Sequence, residues 1–161
     1  MNLLHVSALS ADDLDRIRQR GVDDFGNPLV VTINQDPGGT PLRCCLRDAA
    51  VGDRVALLAW QPSPLPGAYA EVGPVFVHAE ACAGWIGRGY PEGFRGRRQL
   101  LRSYDGGGRV VDNEIVDGGD AAEAALDVLL DRPDVAYVHA RNVLAGCYMF
   151  QIQRESTVTR C

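Results

Sequence analysis

The side chains best suited to nucleophilic, acid–base or metal chemistry in this chain are three histidines and five cysteines, at positions 5, 78 and 139 and at 44, 45, 82, 147 and 161. His78 and Cys82 stand closest together among the well-patterned ones, at the end of the run Gly73-Pro-Val-Phe-Val-His-Ala-Glu-Ala-Cys82. If that run is a strand, Val75 and Val77 fall on one face and Phe76 and His78 on the other, and a turn after the strand returns Cys82 towards His78. A second strand pattern, Val135-Ala-Tyr-Val-His-Ala-Arg141, puts Tyr137, His139 and Arg141 on one face and Ala136, Val138 and Ala140 on the opposite one.

Three chemistries fit these groups. A thiolate at Cys45 or Cys82 can be activated by His78 or His139, with Arg43, Arg47, Arg102, Arg141 and Asn142 placed to hold an anionic substrate group. Alternatively Cys45, His78, Cys82 and Cys147 can ligate zinc, since a His-x3-Cys spacing allows one shared ion; adjacent Cys44 and Cys45 rarely supply both ligands. In the third reading the same groups are structural, and the protein is a noncatalytic binding module. Paired carboxylates, Glu71 with Glu80 or Asp112 with Glu114, form a weaker fourth pattern.

Composition removes several classes. All 16 basic residues are arginine, which excludes a lysine general base, Schiff-base chemistry and pyridoxal phosphate attachment, and no other cofactor is assigned. A net charge of −5 opposes nucleic acid as a partner. Met1-Asn-Leu-Leu lacks the basic start of a secretory signal, and no apolar run reaches the roughly 20 residues that span a bilayer, so the expectation is a cytoplasmic protein without membrane contact. An odd cysteine count then reads as free thiols or metal ligands and not as a disulfide framework.

The positioning elements follow from periodicity and turn chemistry. Ser10 caps a short helix that Gly21 stops, with Leu14 and Ile17 as its apolar stripe. Strands are expected over 29–33, 54–60 and 74–79, and the prolines at 62, 64 and 66 make a stiff rim loop between the last two. Residues 100–104 and 109–116 read as a hairpin around Gly106-Gly-Gly108. The stretch 82–99 interleaves aromatics with arginines, either an anion site or a solvated connection. A helix from Asp120 to Leu130, with Asp120 as N-cap and Glu123 in a capping box, is expected to cover a sheet with Ala121, Ala125, Val128 and Leu129. A last hairpin, 134–141 with 147–154, is expected to be symmetric about Leu144, setting Arg141 opposite Cys147 and His139 opposite Met149. This inventory specifies an α+β fold: a curved, mainly antiparallel sheet, with a partly closed barrel as its main variant, one long helix packed on it and a short N-terminal helix. The chain is expected to form one domain over 1–161, burying about 70% of its unfolded surface, with a frayed tail over 155–161.

The order Cys45-Leu-Arg-Asp, Gly52-Asp-Arg, Gly73-Pro-Val-Phe-Val-His78, Cys82, Arg102-Ser-Tyr104, Val138-His-Ala-Arg-Asn142 and Gly146-Cys147 resembles a bacterial family known as domain of unknown function 1203. The resemblance runs from Leu42 to Arg154. It implies no catalytic residue, cofactor or substrate, because the family is uncharacterised; Cys44 and Cys161 fall outside the pattern. By analogy, an all-arginine, alanine- and glycine-rich chain fits specialised metabolism in a high-GC bacterium.

The reading adopted from the sequence is a pocket of Cys45, His78, Cys82, His139 and Arg141 that binds a small anionic molecule, with Arg43, Arg102 and Asn142 assisting. Its chemistry, if it turns over substrate, is that of a thiol or an acid–base pair, with no metal assigned.

Overall fold

The computed structural model describes residues 4–155. In chain order the elements are β1 (Leu4–Ser7), α1 (Ala11–Arg20), β2 (Val30–Ile33), β3 (Pro41–Leu42), β4 (Arg47–Asp48), β5 (Arg54–Trp60), β6 (Gly73–His78), β7 (Arg98–Tyr104), β8 (Val110–Asp117), α2 (Gly119–Asp131), β9 (Tyr137–Asn142) and β10 (Tyr148–Arg154). The α+β class holds, and the pairing is antiparallel except where β3 meets β6. The strands divide between two five-stranded sheets, β1-β10-β9-β7-β8 and β2-β5-β6-β3-β4, and no barrel closes among the described residues. The division follows from the stretch 79–97. It carries one 3-10 turn, Glu92–Phe94, and no strand, so β6 and β7 are not hairpin neighbours and the chain crosses from one sheet to the other.

Each sheet has its own core. On the first sheet, Ala122, Leu126, Leu129 and Leu130 of α2 pack against Leu101, Val116, Val138, Ala140, Phe150 and Ile152. On the second, Leu14 and Ile17 of α1 join Leu42, Val55, Leu58, Val75 and Val77. Leu14 and Ile17 are 1% and 0% exposed, so each contributes about 1.5–3 kcal/mol of burial to docking α1. Ser10 caps this helix as expected by accepting from the Asp13 N–H at 3.3 Å, and Gly21 ends it at φ 68, where a residue with a side chain is strained.

Three local expectations are corrected. The N-cap of α2 is Gly118, not Asp120, and its buried stripe runs through Ala122, Ala125, Leu126 and Leu129, leaving Val128 68% exposed. That stripe brings Leu126 inward, which the expected one did not. Asp120 and Glu123 instead bind Arg95, at 3.1 and 2.8 Å. In the β9–β10 hairpin Arg141 lies opposite Tyr148 and His139 opposite Gln151, with a bulge after Tyr148. The slip originates in the turn, where Asn142 accepts from the Leu144 and Ala145 N–H groups and itself faces Cys147. Finally, β1 had no counterpart in the pattern analysis, since only Val6 of its four residues is buried. The expected frayed tail and Cys161 lie outside the described residues, apart from Glu155.

The alternation assigned to β6 and β9 is as expected. Val75 and Val77 are buried in the second core, while Val138 and Ala140 face α2. Tyr137, His139 and Arg141 therefore stand on the face of the first sheet turned away from α2. Arg43 fastens the two sheets: its N–H donates to the Phe76 carbonyl at 2.9 Å and its Nε to the Tyr148 carbonyl at 2.8 Å.

Candidate functional site

The tight turn 43–46 joins β3 to β4 and is closed by the Leu46 N–H donating to the Leu42 carbonyl at 3.1 Å. Leu46 has φ 55, the one positive value at a non-glycine among the described residues. Such a conformation costs on the order of 1–3 kcal/mol and is held here by burying the leucine to 1% exposure in the first core. In an extended strand the side chains of neighbouring residues diverge. This turn instead brings the sulfurs of Cys44 and Cys45 to 3.9 Å.

His78 ends β6 beside that turn. Its Nδ1 lies 3.7 Å from the Cys44 sulfur and 3.8 Å from that of Cys45, and its own N–H donates to the Cys44 sulfur at 3.3 Å. On the opposite side of the ring, Nε2 lies 3.2 Å from Asp53 Oδ2 and 3.3 Å from an Arg47 nitrogen. Asp53 is fixed in turn by the Ala50 N–H at 2.9 Å. Arg18 of α1 donates twice to the His78 carbonyl, at 3.2 and 3.0 Å, so the helix holds the strand end in place.

Cys82 returns to this corner as expected, though along irregular chain and not a helical turn. One ligand atom from each of Cys44, Cys45, His78 and Cys82 lies within 4.8 Å of the others. The hydrogen bond from Cys44 lowers the Cys45 thiol below its ordinary range and raises that of Cys44, with burial adding to the rise. Burial also raises Cys82, against the Gly84 N–H that its sulfur accepts. The Ala50 N–H and then His78 keep Asp53 below the usual carboxylate range, so it is ionised at neutral pH.

These lengths match a known coordination sphere. A tetrahedral zinc with Zn–S of about 2.3 Å and Zn–N of about 2.0–2.1 Å sets its ligand atoms about 3.8 Å apart for two sulfurs and about 3.6 Å for sulfur and nitrogen. The three edges among Cys44, Cys45 and His78 have those lengths within 0.2 Å. The Cys82 sulfur lies within 4.8 Å of the other three ligand atoms, on exposed, irregular chain. The Asp53–His78 contact has the form of the carboxylate–histidine pairs that orient imidazoles at metal sites. Cys44, set aside on sequence grounds, belongs to the cluster, and Cys147 of the expected zinc set does not.

The expected single pocket is divided. Cys45, His78 and Cys82 converge on the second sheet, whereas His139 lies on the first sheet at 1% exposure, with Nε2 3.1 Å from Gln151 Oε1 and ring centroids of Tyr104, Tyr137 and Tyr148 within 4.7–5.1 Å. Burial lowers its pKa to about 4, so it is neutral at pH 7, and its Nδ1 has no partner. The arginines gather near it. Arg141 binds Glu71 at 2.9 Å and the Gly146 carbonyl at 2.8 Å; Arg102 binds Glu71 at 3.1 Å and Asn113 at 2.8 Å. Arg43, 1% exposed, donates to the carbonyls of Tyr148 and Pro41 and lies 3.1 Å from the Cys147 sulfur. Asn142, expected to touch substrate, uses its side-chain oxygen to close the β9–β10 turn.

Two groups escaped the sequence reading. Asp53 was visible only as part of Gly52-Asp-Arg, and nothing local marked Glu71 as a partner for two arginines. The paired-carboxylate pattern dissolves, since Glu80 binds Arg54 at 2.8 Å and Asp112 binds Arg132 at 2.9 Å. In the 82–99 stretch, Arg95, Arg97 and Arg98 are all paired with carboxylates while Tyr90 and Phe94 are buried, which is the pattern of a solvated connection.

No helix among the described residues is long and apolar enough to cross a membrane. No curated protein and no solved structure matches the chain. Residues 39–154, most of its length and including both clusters, match the family described as a protein of unknown function, DUF1203, and the chain belongs to that family.

Proposed function

We propose that Cys44, Cys45, His78 and Cys82 form a zinc-binding centre. The observation that carries this reading is the convergence of three sulfurs and an imidazole nitrogen within 4.8 Å, with three of their separations at 3.7–3.9 Å. His78 binds through Nδ1, its Nε2–H donates to Asp53, and the His78 N–H supports the Cys44 sulfur. Four protein ligands fill a tetrahedron and leave no open position for a substrate, so the centre is structural. It joins the β3–β4 turn to the end of β6 and to Cys82 four residues further on, adding to the β3–β6 pairing that already links the first two. Zinc would displace the thiol protons on binding, and the resulting three-thiolate centre would stand beside the Arg47 guanidinium.

The test is metal analysis of untagged protein. One zinc per chain, a lower melting temperature after chelation, and thiolate-to-metal absorption after cobalt replacement are expected. Zinc well below one per chain together with melting indifferent to chelator overturns the reading. That outcome favours a second one, in which Cys45 is a reactive thiolate stabilised by the Cys44 hydrogen bond, and alkylation of Cys45 ahead of the other thiols at neutral pH is its signature.

A further inference from the structure

The face of the first sheet turned away from α2 carries more positive than negative charge. Arg43, Arg102 and Arg141 lie there, and the carboxylate paired with two of them is Glu71; Arg43 has no carboxylate partner among the described residues. His139, held neutral by burial, adds no charge at pH 7. A cavity of about 170 Å³ opens beside Arg141, walled by Trp60, Glu71, Gly73, Cys147 and Tyr148. At roughly 30 Å³ per water, it holds five or six waters or one small organic anion.

The geometry at Arg141 is incomplete in a specific way. Its side chain is 6% exposed; Nη1 donates to the Gly146 carbonyl, Nη2 meets one oxygen of Glu71, and the buried Nε has no partner. Nε and Nη2 form the side-on edge of a guanidinium, which matches both oxygens of one carboxylate. Glu71 cannot fill that edge because its other oxygen is held by Arg102 at 3.1 Å. A buried donor left open is costly, about 1–3 kcal/mol. Glu71 also sits near the end of the proline-rich loop 61–72, on a side chain 43% exposed. A further polar link from this loop to the first sheet is the 3.5 Å contact between the hydroxyls of Ser63 and Tyr137.

We propose that this cleft binds a small carboxylate anion, which takes both Nε and Nη2 of Arg141 and displaces the Glu71 carboxylate now standing in its place. Trp60 and the Cys147–Tyr148 wall line the rest of the site, and Arg102 holds the displaced Glu71. Glu71 is thus an internal competitor, and the loop that carries it is the cover that opens. This site is independent of the thiol corner and stands whether or not zinc binds there.

The experiment is calorimetric titration of the full chain with acetate, malonate, succinate and inorganic phosphate at constant ionic strength. Glu71→Gln removes the competitor, so at least one carboxylate binds it about tenfold more tightly than it binds the unsubstituted protein. Adding Arg141→Gln in that background abolishes the gain. Glu80→Gln, which removes an equal charge paired with Arg54, leaves the affinities unchanged. The proposal is overturned if Glu71→Gln binds no carboxylate more tightly, if Glu80→Gln gives the same gain, if binding survives loss of Arg141, or if phosphate is preferred to every carboxylate. Because Glu71 is well exposed, its substitution leaves a folded protein to measure even where the Arg141 variant does not fold.

Discussion

The thiol corner lies on the second sheet and the arginine cleft lies in the seam between the two sheets, and they gather different chemical groups. In the corner, three thiols, an imidazole and Asp53 converge, and the groups that can become negative point inward at a common centre. In the cleft, guanidinium groups outnumber carboxylates, and one of them keeps an unfilled edge. The burial differs too. Cys82 is exposed and Cys45 half-buried, whereas Arg43 and His139 are each 1% exposed. The corner is built so that an ion can reach it from outside, and the cleft is built into the seam between the sheets. The two proposals assign them ligands of opposite sign, a cation at one and an anion at the other.

The sharpest way to separate the two regions is to remove one sulfur. Replacing Cys44 by Ser deletes a zinc ligand and the acceptor of the His78 N–H, and the expected loss is about a hundredfold or more in zinc affinity, read by competition with a chromophoric chelator. Carboxylate binding at the cleft is expected to be unchanged in the same variant. A Cys44→Ser protein that keeps full zinc affinity would falsify the four-ligand centre.

Removing Arg43 attacks the seam instead. Arg43→Met keeps the stem but leaves the buried carbonyls of Pro41 and Tyr148 without their charged donor. The expected destabilisation is about 3 kcal/mol in urea unfolding, from two lost charge-assisted bonds less the benefit of no longer burying a cation. If stability is unchanged, Arg43 is a ligand-binding group and not the fastening between the sheets.

How much of this was legible in the sequence depended on whether a feature was local. The β5 run, the alternation of β6, the β7–β8 hairpin and the Ser10 cap follow from near-neighbour chemistry, and all are present. The pairing of His78 with Cys82 was likewise visible from their spacing. Cys44 was missed because divergence of neighbouring side chains holds for extended chain, whereas residues 43–46 form a turn closed by the Leu46 N–H on the Leu42 carbonyl. Glu71 was paired with Glu80 and not with the arginines for a similar reason: Arg102 and Arg141 are 31 residues away, or more, on another sheet. The single pocket drawn from the sequence merged two sites because His78 and His139 are each at home in a strand, and nothing in either strand says which sheet it joins.

Acid separates the regions by their histidines. His139 has a folded pKa of about 4 against 6.5 unfolded, so between those values the unfolded chain binds the extra proton and stability falls as pH falls. The loss attributable to this residue is about 2 kcal/mol by pH 5, and His139→Phe should flatten the stability profile between pH 6.5 and 4.5. Aspartates 23, 24, 53, 105 and 134, whose carboxyls lie below the usual range, lose their contributions only at lower pH, and measuring both proteins after chelation removes any contribution from metal release. A profile that is equally steep in both proteins would mean that the buried imidazole is not the group being protonated.

The finest distinction concerns Asp53, which is not itself one of the proposed zinc ligands and acts through His78. Asp53→Asn keeps the size of the side chain but removes the charge that orients the imidazole and holds the proton on Nε2. Zinc affinity is expected to fall about 10- to 100-fold with one ion still bound per chain, because the four ligands remain. The asparagine can still accept a hydrogen bond, so a residue that merely shapes the Ala50–Asp53 turn would leave zinc affinity where it was. Asp53→Ala, by contrast, also removes the acceptor of the Ala50 N–H and so disturbs the turn. A graded loss of zinc affinity, small in Asn and larger in Ala, assigns Asp53 to the metal through its histidine. Equal affinity in Asn and in the unsubstituted protein assigns it to the turn alone.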